Sequence, residues 1–241
     1  MRRNIALVLV LVCVLLLLCG TACYLYFSRP ASSLVLDTAE KVEKNLDLER
    51  NPVNFPALQK KNPDIYAWVY IPGTNVNFPL LQSSTEDTDY YLSHSVDGEE
   101  DSLGCLITQS KYNSNDFSDP VTVIYGRKSA ARLGQLEKYF LSSDSLLKFD
   151  VVLVYNKNGV LRYQVIGATE YENPHILNQY RCFEDVSQIP VFWDRLHSYR
   201  TLLHQFDESV SVTEDDRLLV FSTGLSSNSD HRFLVVAKLV R

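Results

Sequence analysis

The chain has 241 residues, of which 46% are hydrophobic and 22% charged, and a formal net charge of −6 at pH 7. With Arg2 and Arg3 set aside, the rest of the chain carries −8, which argues against a nucleic-acid partner because phosphate binding needs a basic footprint. Past the first apolar run only Cys105 and Cys182 remain of the cysteines. They are too few and too far apart for a disulfide framework, and a segment of about 190 ordered residues can bury its own core as one domain.

The N-terminus reads MRRN, and the 23 positions from Ile5 to Phe27 hold no charged residue. As a helix rising ~1.5 Å per residue this run is about 35 Å long, enough to cross a hydrocarbon core of ~30 Å with some tilt. Arg2 and Arg3 precede it, so the positive-inside rule keeps residues 1–4 cytoplasmic and puts the remainder outside. A cleaved signal peptide would carry a shorter apolar region of ~7–15 residues. An uncleaved anchor over residues 5–27 is therefore expected, with the protein in the cell membrane as a single-pass chain.

Residues 28–61 read as a stalk with two helices. In SSLVLDTAEKVEKNLDLER, Asp37 and Glu40 have the spacing of an N-cap and its partner, and Val42 and Leu46 fall on one face. A second, short helix is expected over Phe55–Lys61, with Asn54 as cap and Pro56 in its first turn.

Residues 62–241 form a β-rich body. Strands are expected over Ala67–Ile71 and Val76–Leu81 around a Pro72-Gly73 turn, then over Gly104–Thr108 and Val121–Tyr125. After Gly126 a helix shares a face through Leu133, Leu136 and Phe140. Val151–Tyr155 and Leu161–Thr169 form a hairpin whose Gly159 is free to take positive φ. From Asp185 to Phe206, Ile189, Phe192, Leu196, Tyr199 and Leu203 recur at helical spacing, with Pro190 in the first turn. The last stretch, RLLVFSTGLSSNSDHRFLVVAKLV, is two apolar β-branched runs joined by a short polar loop, a pair of neighbouring strands.

Several of these fragments, in this order, resemble the class B branch of the sortases, cysteine transpeptidases that anchor proteins to Gram-positive cell walls. They are Asn-Pro-Asp at residues 62–64, a Trp at 68, Ile-Pro-Gly-Thr at 71–74, the Phe78-Pro79-Leu80 strand running to Gln82, DTDYYLSHSVDG at 87–98, Tyr125-Gly126, the helical insertion, and the final strand pair. The resemblance covers roughly Asn51 to Arg241. It implies a mostly-β fold, a closed sortase-type barrel with N-terminal helices and an inserted helix, here preceded by one transmembrane helix. It also implies a partner, a sorting-signal-like peptide or a cell-wall or pilus protein, and no cofactor.

The same resemblance locates the chemistry. The first strand of the final pair would end in the nucleophilic Cys, and here that position is Gly224. The residue after Tyr-Gly would be the general-acid His, and here it is Arg127. The second strand would open with the Arg that serves the oxyanion, and Arg232 is present. Leu92 and Ser222 match groove positions, and Ser222 and Thr223, beside the vacancy, are expected to line the groove or to bond local backbone. Glycine has no atom to attack with, and deleting a nucleophile typically costs about 10⁶ in turnover. An Arg, with a pKa above ~12, cannot act as an acid near neutral pH. The expectation is a catalytically inactive homologue, a pseudoenzyme that keeps a peptide groove. One alternative is a transpeptidase using Ser222, Cys105 or Cys182 as a non-standard nucleophile, and another is an interaction domain that binds no peptide. If Arg127 and Arg232 both face the groove they would make a site for a carboxylate or for backbone carbonyls; otherwise each would pair with a loop acid such as Asp230 or Asp116. His231 should point away from Arg232 on the opposite strand face, and His94 reads as structural. His175, His197 and His204 lack clustered carboxylate or Cys ligands at metal-binding spacing, so no metal site is inferred.

Overall fold

The computed structural model describes residues 31–45, 47–140, 150–172, 174–199, 201 and 203–240. Its apolar runs become the strands β1 (Ile65–Tyr70), β2 (Asn77–Leu81), β3 (Leu106–Ile107), β4 (Val121–Tyr125), β5 (Val151–Asn156), β6 (Gly159–Glu172), β7 (His204–Phe206), β8 (Leu218–Gly224) and β9 (His231–Leu239). Hydrogen bonding in the order β5-β1-β2-β3-β4-β8-β9-β6, with β5 also paired to β6, closes eight strands into a barrel, and β7 adds to the far edge of β6. β4 and β8 run parallel, from Val121 opposite Leu218 to Tyr125 opposite Ser222. β8 and β9 form an antiparallel pair that ends with Gly224 opposite Arg232.

β8 reads as an unbroken apolar run because both of its faces are covered. Leu219 and Phe221 enter the barrel interior with Ala67, Ile124 and Phe233. Leu218 and Val220 pack outward against Phe192, Trp193 and Leu196. Those three residues belong to the inserted helix α5 (Gln188–Ser198), which follows two shorter helices, α3 (Leu136–Phe140) and α4 (Ile176–Gln179). A third apolar layer lies outside β1 and β5, where α1 (Ala31–Glu43) and α2 (Phe55–Lys61) bring Val42, Phe55 and Leu58 onto Ile65, Trp68 and Tyr155.

The start of α2 follows the sequence reading: the Asn54 side chain accepts a hydrogen bond from Ala57 N at 3.1 Å, and Pro56 sits in the first turn. The start of α1 does not. Asp37 lies inside this helix rather than capping it, and forms a one-turn ion pair with Lys41 at 2.7 Å. The two partners on its polar side, Asp37–Lys41 and Glu40–Lys44, account for the charge spacing that reads as a cap box. Leu46 and the expected cytoplasmic and membrane segments, residues 1–4 and 5–27, lie outside the described residues. Among the described residues no helix is long and apolar enough to cross a membrane.

The insertion is helical over half of its expected length. The chain leaves the helix at Tyr199, with φ −65° and ψ 120°, and His204–Phe206 pairs with β6 as β7. The cause is a contact across strands: a Cβ at Gly167 would fall 2.3 Å from Phe206 Cδ1, so the absent side chain is the seat for the Phe206 ring. Helical periodicity in Leu196, Tyr199 and Leu203 carries no trace of that seat. Ahead of α5, Arg181, Cys182 and Phe183 have φ of 48°, 56° and 57°, a left-handed turn of three non-glycine residues. Each such residue costs roughly 1–2 kcal/mol. The turn seats Phe183, which is fully buried and stacked on Tyr180 and edge-on to Phe192, and that burial offsets the backbone cost.

Candidate functional site

The ends of β4, β8 and β9 meet at one rim of the barrel, and the side chains that leave them outward open into a groove of about 580 Å³. Strand alternation decides which residues reach it. Ser222 and Gly224 share the outward face of β8, and Arg232, opposite Gly224, shares it on β9. Thr223 has the opposite parity. It is buried at 1% exposure, its Oγ1 has no hydrogen-bond partner among the described residues, and it takes no part in lining the groove. The expectation that Thr223 lines the groove is thus corrected, for the same geometric reason that Ser222 does line it.

The two guanidiniums expected at the site are both there. Arg127, just past the end of β4, lines the groove and donates from Nε to Leu92 O at 2.7 Å. This bond goes to backbone on the opposite wall and not to Asp116, which takes bonds from Ser114 and Ser118. Burial pushes the Tyr125 phenol up, the Asp89 carboxylate adds to that shift and the Arg232 guanidinium opposes it, and Tyr125 and Arg232 line the groove together. Leu92 lines the groove as expected, held in a one-turn segment over Tyr90–Leu92.

Position 224 is not an empty socket. A Cβ built there would lie 3.3 Å from both Cβ and Cδ of Lys128, whose stem runs over the glycine. Lys128 Nζ then donates to Leu225 O at 3.0 Å, so the side chain straps the end of β4 to the β8–β9 loop across Gly224. Lys128 was not singled out from the sequence. The signal available was its place directly after Arg127, one strand away from the glycine.

The second residue missed as a groove component is His175. It lines the groove and an adjoining recess of about 240 Å³, in both cases together with Tyr125, Ser222 and Arg232. Its Nδ1 accepts from Asn178 N at 3.1 Å, capping α4, and its Nε2 lies 2.7 Å from Gln109 Oε1. Gln109 Nε2 donates in turn to Asp89 Oδ1 at 2.6 Å. The chain of donors assigns the proton of His175 to Nε2. No lone pair is left for a hydroxyl, so His175 does not serve Ser222 as a general base. Burial lowers the His175 pKa, with Asp89 opposing and Lys111 assisting. A second proton would go on Nδ1, facing the Asn178 N–H. Because the folded pKa lies below the ordinary 6.5, the stabilising contribution is complete above that value and is lost as pH falls through the folded pKa. The melting temperature of the chain is therefore expected to drop by a few degrees more between pH 6.5 and pH 5 than that of His175→Gln. Parallel profiles would remove this role.

Neither thiol lines the groove. Cys105 is buried beside the N-terminal helix α1, donates from Sγ to His94 O at 3.4 Å, and is pushed by burial up to about 12. Cys182 lies in the left-handed turn and is also raised by burial. His231 pairs with Glu170 at 2.5 Å, and the groove-lining side chains do not include it. His94 stacks on Tyr90 at 3.8 Å between centroids.

No protein-family model matches the sequence. Sortase B of Listeria monocytogenes is 29% identical over 188 residues, which cover 76% of this chain and 72% of that protein. Among solved structures, the Staphylococcus aureus sortase B–substrate complex superposes with a TM-score of 0.68 at 25% identity, covering 87% of this chain and 96% of the other. A Streptococcus pyogenes class B sortase involved in pilus biogenesis gives a TM-score of 0.67 at 20% identity, covering 79% of this chain and all of the other.

Proposed function

We propose that this chain, a homologue of Sortase B proteins with the class B sortase fold, is a membrane-anchored extracellular protein that keeps a sorting-signal peptide groove without the chemistry of transpeptidation. It would assist the anchoring of cell-wall or pilus proteins by holding their signal peptides at the outer face of the membrane. The observation that carries the reading is the pairing of Gly224 with Arg232 at the groove floor, with Arg127 on the same rim. By the resemblance Arg232 would be the oxyanion Arg, while Gly224 and Arg127, at the nucleophile and acid positions, could do neither job.

Three further points support it. The groove is large enough for an extended peptide segment, and binding sites of about 300–1,000 Å³ are the usual range for small ligands. A relative's structure holds a substrate in the same fold, and another neighbour takes part in pilus biogenesis. Cys105 and Cys182 do not line the groove and are raised in pKa, which makes them poor nucleophiles.

The test is a mixture of the full chain in mild detergent, a labelled sorting peptide and an amine acceptor, followed by anisotropy for binding and chromatography for products. Saturable binding with no cleavage above buffer is expected. Turnover that persists through purification controls would refute the inactive reading, and absence of binding would refute the groove.

A further inference from the structure

A second pocket, of about 280 Å³, shares no lining residue with the groove. It lies where α1, strand β2 and the turn at residues 95–101 meet. Val35 and Leu36 of α1, Phe78 and Pro79 of β2, Val96 and Leu106 line it, so its surface is mostly apolar. The turn is tied by its own backbone: Ser95 N donates to Glu99 O at 2.8 Å, Gly98 N to Ser95 O at 3.0 Å and Asp101 N to Ser93 O at 2.9 Å. Arg132 closes one side, its guanidinium 5.1 Å from the centre of the Phe78 ring and its Nε donating to Gly104 O at 2.7 Å. Leu36 is 69% exposed, so apolar surface continues outward from the lining.

Position and charge together select what fills it. The uncharged run of the sequence ends at Phe27, four positions before α1 begins, and Val35 and Leu36 come one helical turn later. Four extended residues and one turn of helix reach at most about 20 Å, so under membrane anchoring the pocket is tethered close to the bilayer surface. A tether of that length keeps lipid at high effective concentration, which no free peptide matches. An acyl chain that moves from bilayer to pocket exchanges one hydrocarbon surrounding for another, and the gain is the water released from the lining. The charge at the mouth is negative. Asp97 and Asp101 are part of the lining, and Glu99 and Glu100 are exposed on the same turn. Against these four carboxylates stands Arg132, whose Nη2 lies 3.9 Å from Asp101. The lysines of α1 that follow are paired within the helix, Lys41 with Asp37 and Lys44 with Glu40. Polybasic segments seek anionic lipid. This mouth is the reverse case and suits an ammonium.

We infer that the pocket seats one acyl chain of an outer-leaflet lipid whose headgroup carries an ammonium, with α1 and the turn at 95–101 lying on the membrane. This goes beyond the peptide groove and rests on the membrane-anchored reading of the chain.

The experiment reconstitutes the full chain carrying Trp193→Phe in vesicles of equal parts phosphatidylethanolamine and phosphatidylglycerol, brominated on the acyl chains of one lipid, of the other, or of neither. Trp68 is then the one tryptophan left of two. It is fully buried and stands opposite Pro79 in the β1–β2 register, so it reports on a bromine seated in the pocket. Bromine on phosphatidylethanolamine should roughly halve Trp68 emission, as a chain buried in contact with the lining would. Bromine on phosphatidylglycerol should quench severalfold less, and Leu36→Asp should restore the emission. The unaltered chain gives the same comparison over a background from Trp193. Vesicle flotation is scored on the same samples. A chain that floats with equal emission in all three preparations would overturn the inference and leave the anchoring standing. Stronger quenching from phosphatidylglycerol would overturn the ammonium assignment. A chain that does not float would overturn the membrane-anchored reading itself.

Discussion

Gly224→Cys combined with Arg127→His is expected to give measurable peptide cleavage, well above that of the unaltered chain. The backbone permits it: Gly224 does not have the positive φ that would require glycine, and the nearest atoms to a new Cβ are those of the Lys128 stem, at 3.3 Å. A flexible stem gives way by the small distance a Cβ needs, at a cost of about 1 kcal/mol or less. The restored thiol would be directly opposite Arg232, and the imidazole would stand where Arg127 now faces the groove. Since removal of a nucleophile costs about 10⁶ in turnover, even a thousandth of that regained stands clear of the background. Adding Lys128→Ala should raise the rate further, because the strap presses on the new side chain. Chromatography of a labelled sorting peptide with an amine acceptor measures it. Silence of both the double and the triple variant would mean that the groove no longer presents a peptide to this point.

Gly104→Ala is expected to be the most damaging single methyl in the protein. Gly104 has φ +57°, and a Cβ there would fall 2.3 Å from Leu92 O and 2.8 Å from Tyr91 O. Both obstacles are backbone, which cannot rotate aside as a side chain does. The left-handed conformation adds ~1–2 kcal/mol for an L residue and overpacking another ~1–3 kcal/mol. About 3 kcal/mol in a domain of this size corresponds to a fall of roughly 6–12 °C in Tm. The same carbonyl holds Arg127, so the groove should loosen with the fold. Gly98→Ala is the control: its φ is +78°, but its nearest neighbour is Tyr90 Oη at 3.6 Å, so only the conformational cost applies. Circular-dichroism melts of the two variants compare them directly, and a loss at Gly104 no greater than at Gly98 would contradict the packing argument.

Much of the barrel was legible because its strands are covered on both faces and read as apolar runs broken by turn residues. Asn54 with Pro56, and the Gly159 turn, worked because capping and positive φ are local properties. What failed was non-local. The inserted helix was drawn through to Phe206 because helical spacing persisted, whereas the strand there depends on Gly167 some forty positions upstream. Gly224, Arg127, Arg232, Leu92 and Ser222, which the sequence singles out, line one groove in the structure. Thr223 was misjudged because adjacency in sequence was taken for adjacency in the groove, and in a strand the two are opposites. His175 and Gln109 meet only when the segment after β6 folds over the segment after β3, and no spacing in the chain announces that. The Lys128 strap likewise arises from the parallel pairing of β4 and β8, which brings positions nearly a hundred residues apart into register.

The central claim is that no side chain of this protein forms a covalent bond with a peptide held in the groove. Intact-mass spectrometry of the full chain, after incubation with a sorting peptide whose scissile bond is replaced by an electrophilic ketone, asks this without reference to rate. The account predicts an unchanged mass at saturating peptide. A stoichiometric adduct that unmodified peptide competes away, mapped to Ser222, Cys105 or Cys182, would contradict it.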